Sequence, residues 1–128
     1  PAGLHADCDD ETCAGDVESA WAGASVAHIE HNLRGGQLLF AGRDGPGFEA
    51  FLRGLSEDAL ADEMAAALDE AIEASAAFDG ELSASIDADP EDARGLHAAL
   101  KRFTDLLRDD MVTALGLSVP AEAGGDND

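Results

Sequence analysis

The sequence predicts an all-α fold, an antiparallel four-helix-bundle-like domain. Of the 128 residues 45% are hydrophobic, yet there is no tyrosine, and only five Phe and one Trp are present. Much of the hydrophobic content is alanine, which favours helix packed closely on helix over a sheet of β-branched and aromatic residues. Three long stretches also repeat apolar residues at steps of three and four. A chain of this length is expected to bury one core.

Residues 1–15 are predicted to form an irregular acidic arm, because Gly, Pro and acidic residues occur there without an apolar period. Cys8 and Cys13 stand in Cys-Asp-Asp-Glu-Thr-Cys, a spacing that allows a small disulfide loop in an oxidising compartment. Free thiols or a metal site are the alternatives. A metal site is disfavoured because no Cys-x-x-Cys or second cysteine pair completes a tetrahedral set. We therefore predict a disulfide between Cys8 and Cys13.

The first helix is predicted to begin with Asp16 as its capping residue and to run to Arg34. Its apolar stripe contains Val17, Trp21 and Leu33 at helical spacing. The glycines at 35–36 are expected to bend or interrupt the helix, residues 37–41 to continue it, and the loop 42–47 to end it. A short apolar cluster after the loop is predicted to cover one end of the core as one or two helical turns. Its members are Phe48, Phe51, Leu52 and Leu55.

Ser56 is predicted to start a long helix that ends before Asp79-Gly80, with acids in the first turn complementing the helix dipole. Small alanines flank its apolar stripe and acids face outward. The stripe consists of Leu60, Met64, Leu68, Ile72, Ser75 and Phe78. Residues 81–88 are predicted to be a half-ordered connector in which Leu82 and Ile86 are available for burial.

Asp89-Pro90 is the second strong start signal, because a capping residue precedes a proline at the first helical position. The longest helix is expected to follow, with a nearly heptad apolar repeat, and Gly116 is expected to end it. The repeat consists of Leu96, Leu100, Phe103, Leu107, Met111 and Ala114, and Leu106 and Leu115 widen the stripe. The helical domain is therefore predicted over residues 16–117, and residues 118–128 are predicted to be a solvated acidic tail.

The formal charge of −21, from 28 acids against seven bases, argues against certain partners. Phosphate backbones and anionic lipid headgroups would be repelled, so nucleic acid is not an expected partner. No run of about 20 apolar residues is present, so the chain is not expected to span a membrane. Peripheral association with a membrane would need an anchor outside this sequence.

Three segments in order resemble the imelysin family, also known as insulin-cleaving membrane protease-like or iron-regulated envelope proteins. They are His31-Asn32-Leu33-Arg34-Gly35-Gly36-Gln37-Leu38-Leu39-Phe40-Ala41-Gly42, the alanine-rich stretch 56–78, and the closing stretch 100–117 with the Asp/Gly-rich ending 124–128. The resemblance covers about residues 17–128. It implies the second of two helical bundles in a protein exported to the periplasm or cell envelope, with an N-terminal bundle as its companion.

The family signature Gly-x-His-x-x-Glu does not occur in this chain. The nearest string, Val26-Ala27-His28-Ile29-Glu30-His31, has the histidine without the glycine or the glutamate at the required places. The resemblance therefore implies a domain that is non-catalytic alone and takes part in metal or ligand capture linked to iron uptake. Two alternatives are half of a metallopeptidase whose groove needs the companion bundle, and a plain protein-interaction domain.

Four residues of the first helix are the candidate site. His28 and His31 are three residues apart, so their imidazoles share a face and could bind a divalent metal such as iron, zinc or calcium. Two ligands do not complete a site, and the alternative is one packed and one solvated histidine. Asn32 and Arg34 match the family segment that lines the groove between the bundles, where they could bind a carboxylate or a partner backbone. Surface polar residues are the alternative for that pair.

Overall fold

The computed structural model describes residue 17 and residues 20–118, and every regular element in that part of the chain is helical. After a single 3₁₀ turn, the helices are α1 (Ser25–Ala41), α2 (Phe48–Gly54), α3 (Asp58–Ala77), α4 (Leu82–Ala88) and α5 (Glu91–Asp105). Helix α5 continues through a π-helical turn (Leu106–Met111) into a last α-helical turn (Val112–Ala114). The all-α prediction is confirmed, whereas the antiparallel bundle arrangement stays a prediction.

Helix α3 lies at the centre of the core and packs against α1, α2 and α5. Most of its predicted apolar stripe is buried: Met64 and Leu68 have at most 1% of their surface exposed, Ile72 and Ser75 are also buried, and the flanking alanines 61, 67 and 71 have no exposed surface. Leu60 and Phe78, at the two ends of the stripe, are partly buried. The neighbouring helices contribute further buried side chains, namely Leu33, Phe40, Leu52, Ala99 and Met111. Alanines on α3 let these neighbours approach closely, as the composition predicts.

A second, smaller apolar cluster covers one end of the core. Leu82 and Ile86 of α4 are buried there with Val17 and Ala93, and Phe78 packs against them. The predicted burial of Leu82 and Ile86 is confirmed. The expected half-ordered connector is instead helix α4, because these two residues, four apart, reach the same neighbours only if the backbone makes a full helical turn.

Helix α1 differs from the prediction at its start and in its middle. It begins at Ser25, nine residues after Asp16, and Trp21 lies fully exposed in the preceding 3₁₀ turn rather than on the apolar stripe. The glycines at 35–36 do not interrupt the helix. Buried Leu33 and Phe40 stand on either side of them, and this packing offsets the cost of about 1 kcal/mol that each helical glycine carries.

Ser56 ends α2 rather than starting α3, which corrects the prediction. The amide of Glu57 donates to the carbonyl of Leu52, and the amide of Ser56 donates to that of Arg53, the two hydrogen bonds of a Schellman motif. Ser56 accordingly has a positive φ of 65°. Helix α3 then begins at Asp58 without a side-chain cap.

Helix α5 confirms its start and stop signals and most of its apolar repeat. A carboxylate oxygen of Asp89 accepts the amide hydrogen of Glu91, and the helix ends at Gly116, whose φ is 64°. The heptad prediction is wrong for Leu107, which is 38% exposed within the π-helical turn. The other predicted positions near it hold: Met111 is buried, and Leu106, Ala114 and Leu115 pack against the core.

Two predicted segments lie outside the described residues. They are the arm with Cys8 and Cys13 and, apart from Ser118, the acidic tail. Within the residues that the structure describes, none of the helices combines the length and the hydropathy needed to cross a bilayer.

The Schellman motif at Ser56 predicts a stabilising substitution. Ser56→Gly removes the cost of a left-handed conformation in a residue with a Cβ, roughly 1–2 kcal/mol, and part of that gain is lost to the flexibility of unfolded glycine. We expect the free energy of unfolding in urea to rise by about 0.5–1 kcal/mol. Gly116→Ala, at the matching position of the last helix, should lower it by about 1 kcal/mol. A destabilised Ser56→Gly variant would contradict this account of the α2 end.

Candidate functional site

The four predicted site residues all lie exposed on α1. The Nδ1 atom of His31 is 2.6 Å from the carbonyl oxygen of Ala27, so one imidazole nitrogen faces the backbone of its own helix. Arg34 forms an ion pair with Glu30 one turn earlier, at 2.7 Å. The structure therefore places these four residues on one helix.

A metal site would need more donors than His28 and His31. In residue 17 and residues 20–118, no group of three or more His, Cys, Asp or Glu side chains is placed to hold a metal ion. Tetrahedral zinc sites use three or four protein ligands. The metal site at His28 and His31 stays a prediction, and it requires donors from outside the described residues or from a partner.

The most distinctive surface feature lies further along α1 and on α2. Of the eight large apolar side chains that are exposed in the described part of the chain, five lie between residues 38 and 55. We call them the α1–α2 apolar surface: Leu38, Leu39, Phe48, Phe51 and Leu55, with exposed fractions from 42% to 69%. Single exposed apolar residues are ordinary, but a concentration of this kind is typical of binding surfaces.

Helix α2 is oriented with its charged side towards the protein. The guanidinium of Arg53 binds Glu49 on its own helix at 2.8 Å and Asp62 on α3 at 2.7 Å. These two carboxylates raise the pKa of Arg53 above its ordinary value through hydrogen bonds. Leu52 alone is buried, at the edge of the apolar stripe. The prediction that the whole cluster covers the core is therefore wrong for Phe48, Phe51 and Leu55.

The loop between α1 and α2 sets the position of this surface. The α-carbon of Gly47 packs against the end of α1 so closely that a Cβ atom there would lie 2.2 Å from the carbonyl oxygen of Phe40 and 2.4 Å from the amide nitrogen of Gly42. Gly42 has a φ of 81°. These contacts place Phe48 directly beside the end of α1, so the apolar residues of both helices flank one tight corner.

An open groove runs beside the two leucines of α1. Its volume is about 450 Å³, and Gly35, Gly42, Pro46 and Gly47 line it together with Leu38 and Leu39. Because the glycines have no side chains, much of the wall of the groove consists of backbone atoms and leucine side chains.

The charge near this surface is mixed. Residues 31–55 contain three arginines and two acids. Two of these arginines form ion pairs with acids outside that range, Arg34 with Glu30 and Arg53 with Asp62 on α3. Acidic groups therefore also flank the apolar surface.

A second groove lies between the start of α3 and the π-helical turn, with a volume of about 700 Å³. Its wall contains the carboxylates of Glu57, Glu63, Asp109 and Asp110. These four do not form a metal-binding group among the described residues, and Asp109 contacts Arg108 at 3.3 Å. The groove has the character of a solvated acidic surface.

In comparisons with known protein families, curated proteins and solved structures, no match to this chain was found. The resemblance to imelysin-like proteins stays a prediction.

Sequence reasoning missed the exposure of the two leucines Leu38 and Leu39 of α1. Leu33 and Phe40 define the buried side of the helix, and Leu38 and Leu39 do not continue that pattern at steps of three or four from Leu33. Two leucines outside the stripe of an otherwise amphipathic helix were the signal that could have identified it.

The tight corner predicts a sharp contrast between two glycines of one loop. Gly47→Ala introduces a Cβ against backbone atoms that cannot move independently, so it should lower the free energy of unfolding by about 1–3 kcal/mol. Gly45→Ala meets nothing within 4 Å and should stay within about 0.5 kcal/mol of wild type. Urea unfolding followed by circular dichroism measures both. Equal stabilities of the two variants would contradict the described corner.

The predicted metal pair is open to a direct binding test. Zinc titration by calorimetry compares wild type with the double variant His28→Ala/His31→Ala, and His97→Ala on α5 is the control. Metal binding at the pair predicts a loss of about tenfold or more in affinity for the double variant only, because each ligand contributes to coordination. Equal affinities of all three proteins would contradict a metal site that this chain forms at His28 and His31 without a partner.

Proposed function

We propose that this chain is a helical interaction domain that docks a companion helical bundle through the α1–α2 apolar surface. The orientation of α2 is the main support for the proposal. Arg53, which is paired with Glu49 on its own helix, also binds Asp62 of α3. Phe48 and Phe51 of α2, and Leu55 directly after it, face solvent. An amphipathic helix in this orientation gains stability when a partner covers its apolar stripe.

Burial of the exposed apolar side chains would contribute a large favourable free energy to docking. Full burial of a Leu or Phe side chain contributes about 1.5–3 kcal/mol, and five such side chains are exposed by 42% or more. The corner at Gly42 and Gly47 holds the two helices in a defined relation, so little conformational entropy is lost when a partner binds. A preformed apolar surface of this kind suits a helix of another bundle, which presents side chains at matching steps of three and four.

The resemblance to imelysin-like proteins supplies one version of this proposal. In that version the companion is the N-terminal bundle of an exported envelope protein, and the pair takes part in metal or ligand capture linked to iron uptake. His28, His31, Asn32 and Arg34 lie exposed on the same helix as Leu38 and Leu39. Donors from the companion would then complete a metal site that the described residues do not complete. A metallopeptidase groove shared between two bundles would need the same docking.

Site-specific photo-crosslinking tests the proposed docking. A photoreactive phenylalanine derivative replaces Leu39 or Phe51 in the cells that produce the protein, and the adducts are mapped by mass spectrometry. We expect one defined adduct whose attachment point lies on the apolar side of a helix, because the surface is rigid and selective.

The same derivative at Leu117, which is 59% exposed at the other end of the described chain, is the matched control and should give no such adduct. The proposal fails if positions 39 and 51 give no adduct, or the same scattered adducts as position 117.

A further inference from the structure

We infer that Asp44, in the loop between α1 and α2, is a site of spontaneous covalent modification. Its side-chain carboxyl group condenses with the backbone amide of Gly45, and the residue is converted to isoaspartate. This conversion would proceed whether or not a partner docks on the α1–α2 apolar surface.

The sequence around Asp44 favours this reaction. Asp44 is one of two aspartates that precede a glycine, and the other is Asp79. A side chain on the following residue hinders the approach of its amide nitrogen to the carboxyl carbon, and glycine has none. The other aspartates of the described chain lie in helices, whose backbone torsions are fixed, apart from Asp89. Asp89 precedes a proline, which has no amide hydrogen to lose.

The surroundings of Asp44 leave both reacting groups free to meet. Its side chain is 94% exposed, and the ion pair with the equally solvated Arg43 is long, at 4.0 Å. Such a pair restrains the carboxylate only weakly. Within the described residues, the amide of Gly45 donates no hydrogen bond. A Cβ atom at Gly45 would meet nothing within 4 Å, so the Asp44 side chain can rotate onto the amide without displacing a neighbour.

The reaction needs no co-reactant other than water. The amide nitrogen of Gly45 attacks the carbonyl carbon of the protonated Asp44 side chain. The N–C bond forms, the C–OH bond of the carboxyl group breaks, and the amide hydrogen leaves with that hydroxyl as one water molecule. Water then opens the resulting succinimide ring. Opening at the main-chain carbonyl gives isoaspartate, opening at the side-chain carbonyl restores aspartate, and neither product differs in mass from the original chain.

Isoaspartate at position 44 would alter the corner that positions α2. The backbone then runs through the former side chain, which lengthens it by one C–C bond of about 1.5 Å. The carbonyl oxygen of Gly45 lies so close to Gly42 that a Cβ atom on Gly42 would be 2.1 Å from it. The added length displaces Gly45 from this contact, so the corner between α1 and Phe48 loses part of its packing.

The Asp79-Gly80 pair supplies a comparison within the same chain. Asp79 is exposed as well, and the same chemistry is expected there. A Cβ atom at Gly80 would meet nothing within 4 Å, so this glycine has no close backbone contact to lose. Isomerisation at position 79 should therefore disturb the fold less than isomerisation at position 44.

Peptide mapping of the complete 128-residue chain after prolonged incubation at neutral pH and physiological temperature tests the inferred site. Electron-transfer dissociation distinguishes isoaspartate from aspartate of the same mass. We expect isoaspartate to accumulate at positions 44 and 79 and not in the helices. Gly45→Ala should slow the conversion at position 44 several-fold, because its methyl group hinders the amide nitrogen. Asp44→Glu should prevent it, because the larger ring forms much more slowly.

Two single-site variants isolate the effect on the corner. Asp79→Glu leaves position 44 as the only reactive Asp-Gly pair, and Asp44→Glu leaves only position 79. Both substituted side chains are exposed, so both variants are expected to fold. After ion-exchange separation, the isoaspartate form of Asp79→Glu should unfold at a lower urea concentration than its unmodified form. The isoaspartate form of Asp44→Glu is the matched control and should show a smaller shift.

An Asp44 that stays unmodified while Asp79 converts would overturn the inferred site. Equal conversion of the helical aspartates would also overturn it, because exposure and a free amide would then not select the position. Equal urea midpoints of the modified and unmodified forms of Asp79→Glu would overturn the effect on the corner.

Discussion

Burial of one side of α3 is the constraint on which the other elements depend. Met64 and Leu68 are enclosed on all sides, and the alanines between them let α1, α2 and α5 approach the same helix. Outside this apolar contact, each neighbour also has a polar link to an outward-facing acid of α3. Gln37 of α1 binds Asp69, Arg53 of α2 binds Asp62, and Arg102 of α5 binds Glu70. Exposed links of this type contribute little energy, but they select the face that each helix turns inward.

The ion pair between Arg53 and Asp62 determines which side of α2 faces the core. Helix α2 has only seven residues, the loop glycines hold its start, and the Schellman motif at Ser56 holds its end. With Arg53 turned towards α3, only Leu52 can be buried, and the other apolar residues of the short helix must face solvent. The exposed apolar surface is therefore produced by the same contacts that attach α2 to the core.

Local sequence signals predicted the elements of this fold better than their orientation. The stripe from Leu60 to Phe78 and the Asp89-Pro90 start were readable, because periodicity and capping depend on neighbours in the chain. Ser56 misled because serine is more common at a helix start than in a left-handed helix end, where glycine is usual. The exposure of Phe51 was not readable from the sequence, because it depends on a cross-helix ion pair, that of Arg53 with Asp62.

The same holds for the candidate site: sequence spacing predicts which residues share a helix face, but not which residues of other helices lie nearby. The pairing of His28 with His31 on one helix followed from their spacing, but the presence or absence of a third donor depends on tertiary placement. Leu38 and Leu39 were visible as leucines outside the buried stripe, and only the corner at Gly47 shows that they lie beside the apolar residues of α2. The family resemblance predicts a site at the histidines and arginine of α1, whereas the exposed apolar side chains lie at the other end of the same helix.

Hydroxyl-radical footprinting of the protein in the cells that produce it, compared with the purified chain, tests the central claim most directly, because it reports the solvent exposure of individual side chains. If a companion covers the α1–α2 apolar surface, oxidation of Leu38, Leu39, Phe48 and Phe51 is lower in the cells than in the purified chain, while Trp21, which is fully exposed outside the surface, keeps its oxidation rate. Unchanged oxidation of all these residues, or equal protection of Trp21, would contradict the claim that a companion docks on this surface.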